Sequence, residues 1–462
     1  MNPTYNLSFI YGYPLWVVLT AILIAAVLLV FNRYWAFLFC SFGLLAPNYK
    51  YYVFTRLPFC GPIINFFDVF IVFGTIAALM EPNPKWKKKH AVLILILLVI
   101  FISFSLGMIQ FGNTSNGVYL IFRNAKYALC LPLVWFIAAK FLNSRQRFVH
   151  FLILLFLANA FQSFRHIFFV YDSVTNEEQT RTITYMQAGM FTIPFVLFMF
   201  SEGKSKLWLV LFGLSFVLNV VSAVYMETRS FFIGQLGAGL LVCLFFFRFL
   251  NKKRFFIALL VSVLAIPLLF IPGKINPSMD VFAKLQGRSL TLTGKADAKN
   301  SFESRRNAFH AEMNIWKHST IIFGDGFGYQ APYFGAQDRV KDIAWGHIGY
   351  ITYLAIGGIF GFLVYGIVYP FAFLFECVKL SKRFPQNEFR LFMLISFVIG
   401  VYCFVQPVMT GGLTFGIGFL LLGFMSGGLF NLKGMYDAYL QQIGFQRKST
   451  QPQTAAAAAT RV

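Results

Sequence analysis

Acidic side chains are scarce in this chain. Asp and Glu number 17 against 39 Lys and Arg, and charged residues of all kinds fill only 12% of 462 positions. A soluble protein carries about 25% charged residues, so an ordinary water-soluble fold is excluded. Carboxylates so sparse form no cluster of the kind that holds magnesium or manganese. The six cysteines include no CxxC pair and mostly lie inside apolar runs, which excludes a disulfide framework and a zinc site. There is no P-loop, no GxGxxG opening a helix, no HExxH and no GxSxG. Neither a metal nor an organic cofactor is called for, and any phosphate chemistry would rest on protein cations. No basic segment precedes the first apolar stretch, which predicts a retained first helix rather than a cleaved signal peptide.

What fills the chain is hydrocarbon. Hydrophobic residues make up 58% and the mean hydropathy is +0.68. Apolar runs near the ~17–25 residues that cross a bilayer follow one another: Leu15–Phe31, Tyr34–Ala46, Pro62–Met80, Ala91–Gln110, Val118–Leu142, Phe148–Tyr171, Ile183–Phe200, Leu207–Tyr225, Phe231–Phe247, Phe255–Ile271, His347–Cys377, Leu391–Val408 and Leu413–Phe430. Leu15–Ala46 is short for two full spans at ~1.5 Å per residue, so one crossing or two are both open there. The expectation is an all-α polytopic membrane protein with about 12 transmembrane helices and one large, partly helical external loop. Residues 1–271 are the N-terminal helices, 272–346 the loop, 347–430 the C-terminal helices and 431–462 a largely disordered tail.

The net charge of +22 would suggest nucleic acid in a soluble protein. Here many cations stand in short connections: Lys85 and Lys87–Lys89; Arg145 and Arg147; Lys204 and Lys206; Arg248 and Lys252–Arg254; Lys379, Lys382, Arg383 and Arg390. All fall on one side if each clear run crosses once. The positive-inside bias makes that side cytoplasmic, together with the C-terminus. Membrane lipid, not nucleic acid, is the partner these clusters imply. The opposite junctions, Phe111–Gly117, Asp172–Thr182, Met226–Ser230 and Pro272–Gly346, are then periplasmic or extracellular. The last is far longer than the usual ~4–6 residues of a connection. Within it Asn307–Ser319 reads as a helix, with Phe309, Met313 and Trp316 on one face, and Phe323-Gly-Asp-Gly-Phe-Gly328 as a turn.

Against this bias several basic groups stand on the outer side: Arg123, Lys126, Arg165, His166, Arg229, Arg305, Arg306 and His347. Arg229, in Glu-Thr-Arg-Ser, either snorkels and pairs with Glu227 or grips a phosphate in bidentate fashion. Arg305 and Arg306 open the loop helix, where the macrodipole disfavours cations but free N–H groups favour an anion. His347, where the loop re-enters the membrane, is either a plain hydrogen-bonding group or a general base. Arg123 and Lys126 share one helix face; Arg165 and His166 lie in the outer half of theirs, where ionisable groups usually face a cavity. Asp68 either satisfies its helix N-terminus or pairs with one of these cations. His310 and His318, eight residues apart, read as surface residues.

From Ser304 to Gly361 the sequence resembles the shared C-terminal region of the O-antigen ligase and O-antigen polymerase superfamily. The pieces that carry the resemblance are Arg306, the helix through Trp316, the Phe-Gly-Asp-Gly-Phe-Gly turn, and His347 followed by Tyr350, Tyr353, Leu354 and Gly357-Gly-Ile-Phe-Gly361. Thr-Arg-Ser at 228–230 and the pair Arg123-x-x-Lys126 fit the same layout. The segment His-Ser-Thr-Ile-Ile-Phe-Gly lacks the proline these proteins often carry before the turn. The resemblance implies a metal-independent, inverting glycosyltransferase of the bacterial inner membrane. It would take a glycan from undecaprenyl diphosphate at the periplasmic face and pass it to lipid A-core (a ligase) or to another glycan (a polymerase). Arg229 and Arg306, or Arg305, would bind the diphosphate, Arg123, Lys126, Arg165 and His166 would assist, and His347 would act on the acceptor hydroxyl. A transporter or flippase for an anionic solute or lipid-linked sugar uses the same cations but expects repeats and helices broken at the bilayer midplane. A purely structural scaffold leaves the outer arginines unexplained.

Overall fold

The computed structural model describes residues 15–46, 65–82, 91–168, 192–225, 229–265, 298–329, 331–334, 340–343, 349–384, 386–409 and 419–435. They are overwhelmingly helical. In chain order the helices are α1 (Leu15–Phe31), α2 (Arg33–Leu45), α3 (Phe66–Met80), α4 (Ala91–Phe111), α5 (Ser115–Phe141), α6 (Arg145–Phe168), α7 (Thr192–Phe200), α8 (Lys206–Tyr225), α9 (Arg229–Phe245), α10 (Lys252–Ala265), α11 (Ala298–His318), α12 (Gly349–Phe362), α13 (Tyr369–Ser381), α14 (Asn387–Met409) and α15 (Phe419–Met435). Five stretches are long and apolar enough to cross a membrane: Ala91–Phe111, Ser115–Phe141, Arg145–Phe164, Gly349–Ser381 and Asn387–Val405. Trp16–Phe31, Arg33–Leu45, Phe66–Met80, Lys206–Asn219 and Phe419–Met435 are shorter apolar helices. The chain is thus helical and built for a membrane. One departure from an all-helical chain is a hairpin in the loop, β1 (Ala331–Phe334) paired antiparallel with β2 (Val340–Ile343), Ala331 opposite Ile343. The tail from Gln441 and most of the polar stretch Gly287–Asn300 lie outside the described residues.

The N-terminal apolar region is two helices, not one rod. Asn32 has extended backbone (φ −158°, ψ 102°), and its side-chain oxygen accepts from the N–H groups of Tyr34 at 3.0 Å and Trp35 at 3.3 Å, capping α2. Phenylalanines build the centre of the bundle. Phe37 of α2 stacks on Phe141 of α5 at 4.7 Å, and Phe151 of α6 meets Phe424 of α15 at 5.4 Å. Gly423 and Gly427 let α15 lie close against α5: added Cβ atoms would stand 2.9 Å from the Leu131 carbonyl oxygen and 2.5 Å from that of Trp135. Small residues four apart are the usual device for close helix contact in lipid.

At one end of the bundle the described basic junctions meet carboxylates and carbonyls. Arg147 reaches Glu81 at 3.1 Å, and the buried Lys140 donates to the Glu81 carbonyl at 3.1 Å. Arg145 grips both oxygens of Glu388 at 3.2 Å, with Lys204 3.9 Å away from the same carboxylate. Arg254 donates to the carbonyls of Phe198 and Ser201 at 3.1 and 2.6 Å. Lys85–Lys89 lie outside the described residues.

At the opposite end the loop enters the bundle. α12 breaks at Gly358, whose backbone leaves the helical region (φ 60°, ψ −158°). The break frees two N–H and two C=O groups that a continuous helix would pair, and the loop turn takes up all four. Ile359 and Phe360 donate to the carbonyls of Ile321 and Ile322, each at 3.0 Å, while the N–H groups of Asp325 and Gly326 donate to Ala355 at 2.8 Å and Ile356 at 3.0 Å. Phe327 N–H adds a bond to Ser103 of α4 at 2.8 Å. Ser103 and Gly358 each lie roughly 12 Å from the loop end of their helices at 1.5 Å per residue, so the turn dips well below the surface. Below the break the rod continues through a π-helical stretch, Leu363–Val368, into α13.

Glycines make this insertion sterically feasible. Gly324 and Gly326 have φ of 69° and 82°, and a Cβ on Gly107 of α4 would stand 2.1 Å from the Phe327 carbonyl oxygen. Gly213 of α8, by contrast, has ordinary room, with its nearest neighbour at 3.5 Å in Phe198. Gly107→Ala should therefore lower the melting temperature of the detergent-solubilised protein through backbone displacement of about 1–3 kcal/mol. Gly213→Ala should leave it unchanged or raise it, by up to about 1 kcal/mol of helix propensity. Equal melting temperatures for the two variants would contradict the docked turn.

Candidate functional site

The loop helix starts earlier than its apolar pattern suggests. α11 begins at Ala298, so Arg305 and Arg306 stand two turns inside it. They do not sit at its N-terminal N–H groups, and neither the anion-binding turn nor the macrodipole penalty, both confined to the first turn, applies to them. Phe309, Met313 and Trp316 are half-buried. The deepest positions are Ala308 and Glu312, both fully buried. Arg306 is exposed.

Glu312 gave no signal in the sequence and is central to the geometry. Its Oε1 accepts from the Tyr329 hydroxyl at 2.7 Å and the Thr352 hydroxyl at 3.1 Å. Tyr329 follows the inserted turn, and Thr352 lies in the first turn of α12, five residues after His347. One carboxylate thus ties three pieces together: the arginine-bearing helix, the end of the turn, and the start of the helix that follows His347.

The turn also abuts α5. A Cβ on Gly328 would stand 2.6 Å from Ile121, two residues along the chain from Arg123, and 3.3 Å from Phe111 at the end of α4. Arg123 is half-buried with its guanidinium 5.7 Å from the Tyr119 ring, within cation–π reach. Lys126 bonds Asp68 at 2.9 Å. The same Asp68 oxygen accepts from Asn65 N–H at 2.7 Å, forming a capping box at the start of α3. Asp68 therefore fills both roles the sequence left open, and Lys126 reaches the site already paired.

Other candidates are placed only in part. Arg165 and His166 occupy the last turn of α6 and Arg229 the first position of α9; their side chains, like that of Arg305, are outside the described set, and so is His347 altogether. Just below Arg165 a buried polar group locks α6 in place. Asn219 of α8 donates to Asn159 at 3.0 Å and accepts from Ser163, while Gln162 donates to the Leu45 carbonyl at 3.0 Å. His310 and His318 are both exposed.

No protein-family model matches the chain and no curated protein matches it, so the reading of the site rests on its residues.

Asp325, at the tip of the inserted turn, carries a carboxyl whose protonation is displaced. Burial pushes its carboxyl above the usual 3.8, with a hydrogen bond from Gln110 of α4 opposing the shift. A carboxyl held above its unfolded value binds its proton more tightly when folded. Its contribution to stability is then fully present below the unfolded value and lost as pH rises through the raised one. Asp325→Asn should flatten the fall in thermal stability over that interval and leave stability above it higher than wild type. An unaltered pH–stability profile would remove Asp325 from this account.

Replacing Glu312 by Leu leaves two buried hydroxyls without their acceptor, each costing about 1–3 kcal/mol. Glu312→Gln keeps an acceptor oxygen. Thermal unfolding should show the Leu variant well below the Gln variant, and limited proteolysis should cut the Leu variant faster within the loop.

Proposed function

We propose that this protein is a membrane glycosyltransferase that moves a glycan from undecaprenyl diphosphate to an acceptor at the outer (periplasmic) face of the bacterial inner membrane. The basic end of the bundle, and the C-terminus with it, would face the cytoplasm under the positive-inside bias. The observation that carries the reading is that the stretch resembling O-antigen ligases and polymerases is one bonded unit. Arg306 with its helix, the Phe-Gly-Asp-Gly-Phe-Gly turn and the Gly357–Gly361 segment are joined by the four backbone bonds of the broken helix and by Glu312. That unit rests against the helix bearing Arg123 and Lys126.

In this mechanism Arg229 and Arg305 or Arg306 hold the diphosphate, with Arg123, Lys126, Arg165 and His166 as further cations. The acceptor hydroxyl attacks the anomeric carbon from the face opposite the diphosphate. The new glycosidic C–O bond forms as the bond to the diphosphate oxygen breaks, inverting the centre. His347 takes the hydroxyl proton, and the departing lipid diphosphate leaves with its negative charge stabilised by the arginines. Donor and acceptor held together supply the proximity contribution. The acceptor is lipid A-core in a ligase and another glycan in a polymerase.

A transport reading has one observation in its favour, the interrupted α12. In transporters such breaks leave backbone groups for the solute. Here the four groups freed at Gly358 are bonded to the loop, which favours transfer chemistry under a fixed roof.

The deciding experiment is transfer in vitro with purified protein, lipid-linked donor and each acceptor in turn. His347→Ala should lower turnover about 10²–10⁴-fold, the usual worth of a positioned base, and Arg229→Ala about 10²–10³-fold, as for loss of a charge-stabilising donor. Both variants should insert and elute as wild type. Unchanged turnover removes that residue from the mechanism, and absence of transfer by wild type to any acceptor removes the reading.

A further inference from the structure

Near the basic end of the bundle a cleft opens between α6, α7, α8 and α14. It is walled by Val149, Leu152, Ile153, Phe156, Leu197, Trp208, Phe212 and Leu391, with Lys204 and Glu388 also lining it. Its volume is about 170 Å³. Two turns of α6, from Val149 to Phe156, and about one turn of α8, from Trp208 to Phe212, line it, a length of roughly 10 Å along α6 at 1.5 Å per residue. The cleft therefore runs along the helices, as an acyl chain does in a bilayer.

Its walls set the chemistry of the occupant. They are apolar apart from Lys204 and Glu388, and the flanks of α8 and α6 are exposed apolar surface at Leu207, Val210, Leu214 and Leu157, so the cleft faces hydrocarbon. Left empty, its lining would forgo dispersion contacts. The charged end is unlike the rest. Glu388 is shared by two cations, Arg145 at 3.2 Å and Lys204 at 3.9 Å, and the Arg145 side chain is 63% exposed. One carboxylate against two cations leaves about one positive charge where a headgroup phosphate would lie, with Lys206 exposed two residues on.

We propose that this cleft is a binding site for one anionic glycerophospholipid, its acyl chain between α6 and α8 and its phosphate at Lys204 and Arg145. A zwitterionic phospholipid fills the same walls but brings its own cation to the positive end, so the site discriminates by headgroup and not by chain. The proposal is independent of the transferase reading, since it concerns the opposite end of the bundle.

Trp208 in the wall supplies the test, because bromine on an acyl chain quenches an indole only in contact. The full-length protein is placed in nanodiscs of unlabelled phosphatidylcholine, doped either with acyl-brominated phosphatidylglycerol or with acyl-brominated phosphatidylcholine. The protein has seven tryptophans, so the Trp208 signal is read as the difference between wild type and Trp208→Phe. Phosphatidylglycerol should half-quench that signal at about a fivefold lower mole fraction, the preference expected of roughly one net surface cation. The double variant Arg145→Gln, Lys204→Gln should lose this preference while keeping the weaker quenching by phosphatidylcholine, which reports that its cleft is intact. Equal quenching of wild type by the two lipids, or a preference that survives the double variant, would overturn the proposal.

Discussion

A helix interrupted inside hydrocarbon must find new partners for the backbone groups it releases, because the medium offers none and each orphan costs several kcal/mol. In this protein that requirement decides where the long loop lies. The break at Gly358 presents two donors and two acceptors, and the segment Ile321–Gly326 presents the complementary set. Seating the loop there fixes α11 through Glu312 and brings Gly328 against α5. The positions of α11, of Thr352 and of the turn against the helix bearing Arg123 all descend from that exchange of backbone bonds. The glycines at 107, 324, 326 and 358 are its steric condition.

The two ends of the bundle use charge in different ways. At the basic end, cations are matched with carboxylates and helix-end carbonyls, as Arg147 is with Glu81 and Arg254 with Ser201. Such pairs are worth little individually in water, but they tie together ends of helices that are distant in sequence. At the loop end, Lys126 spends its charge on Asp68, while Arg306 faces outward. This inequality between the two cations could not be seen from their presence in the sequence.

Much of the helical framework was legible in the sequence, since apolar length marks membrane helices directly. The break at Asn32 was legible only as a region too short for two spans; its mechanism, an asparagine capping the next helix, needed the backbone. α11 was placed too late because Ala298–Ser304 is polar and carries no apolar period. Phe323–Gly328 reads as a turn in the sequence, but its docking into α12 depends on partners thirty residues away. Gly357-Gly358 in an apolar run is the trace of that break in the sequence. Glu312, amid Arg, Asn and Lys, looks like one more solvated charge. Its burial depends on hydroxyls from Tyr329 and Thr352, and no local pattern carries such information.

The inserted turn has a consequence for biogenesis. It bonds α4 and α12 at once, and the contact from Ser103 to Ile356 spans 253 positions. The loop can seat only after both of these segments have been threaded into the bilayer, so docking of the turn belongs to the final stage of assembly. A nascent chain halted before α12 would hold Ser103 and Gly107 of α4 without the docked turn they receive in the finished fold. Its end of the bundle would stay open at Ser103 until the C-terminal third arrived.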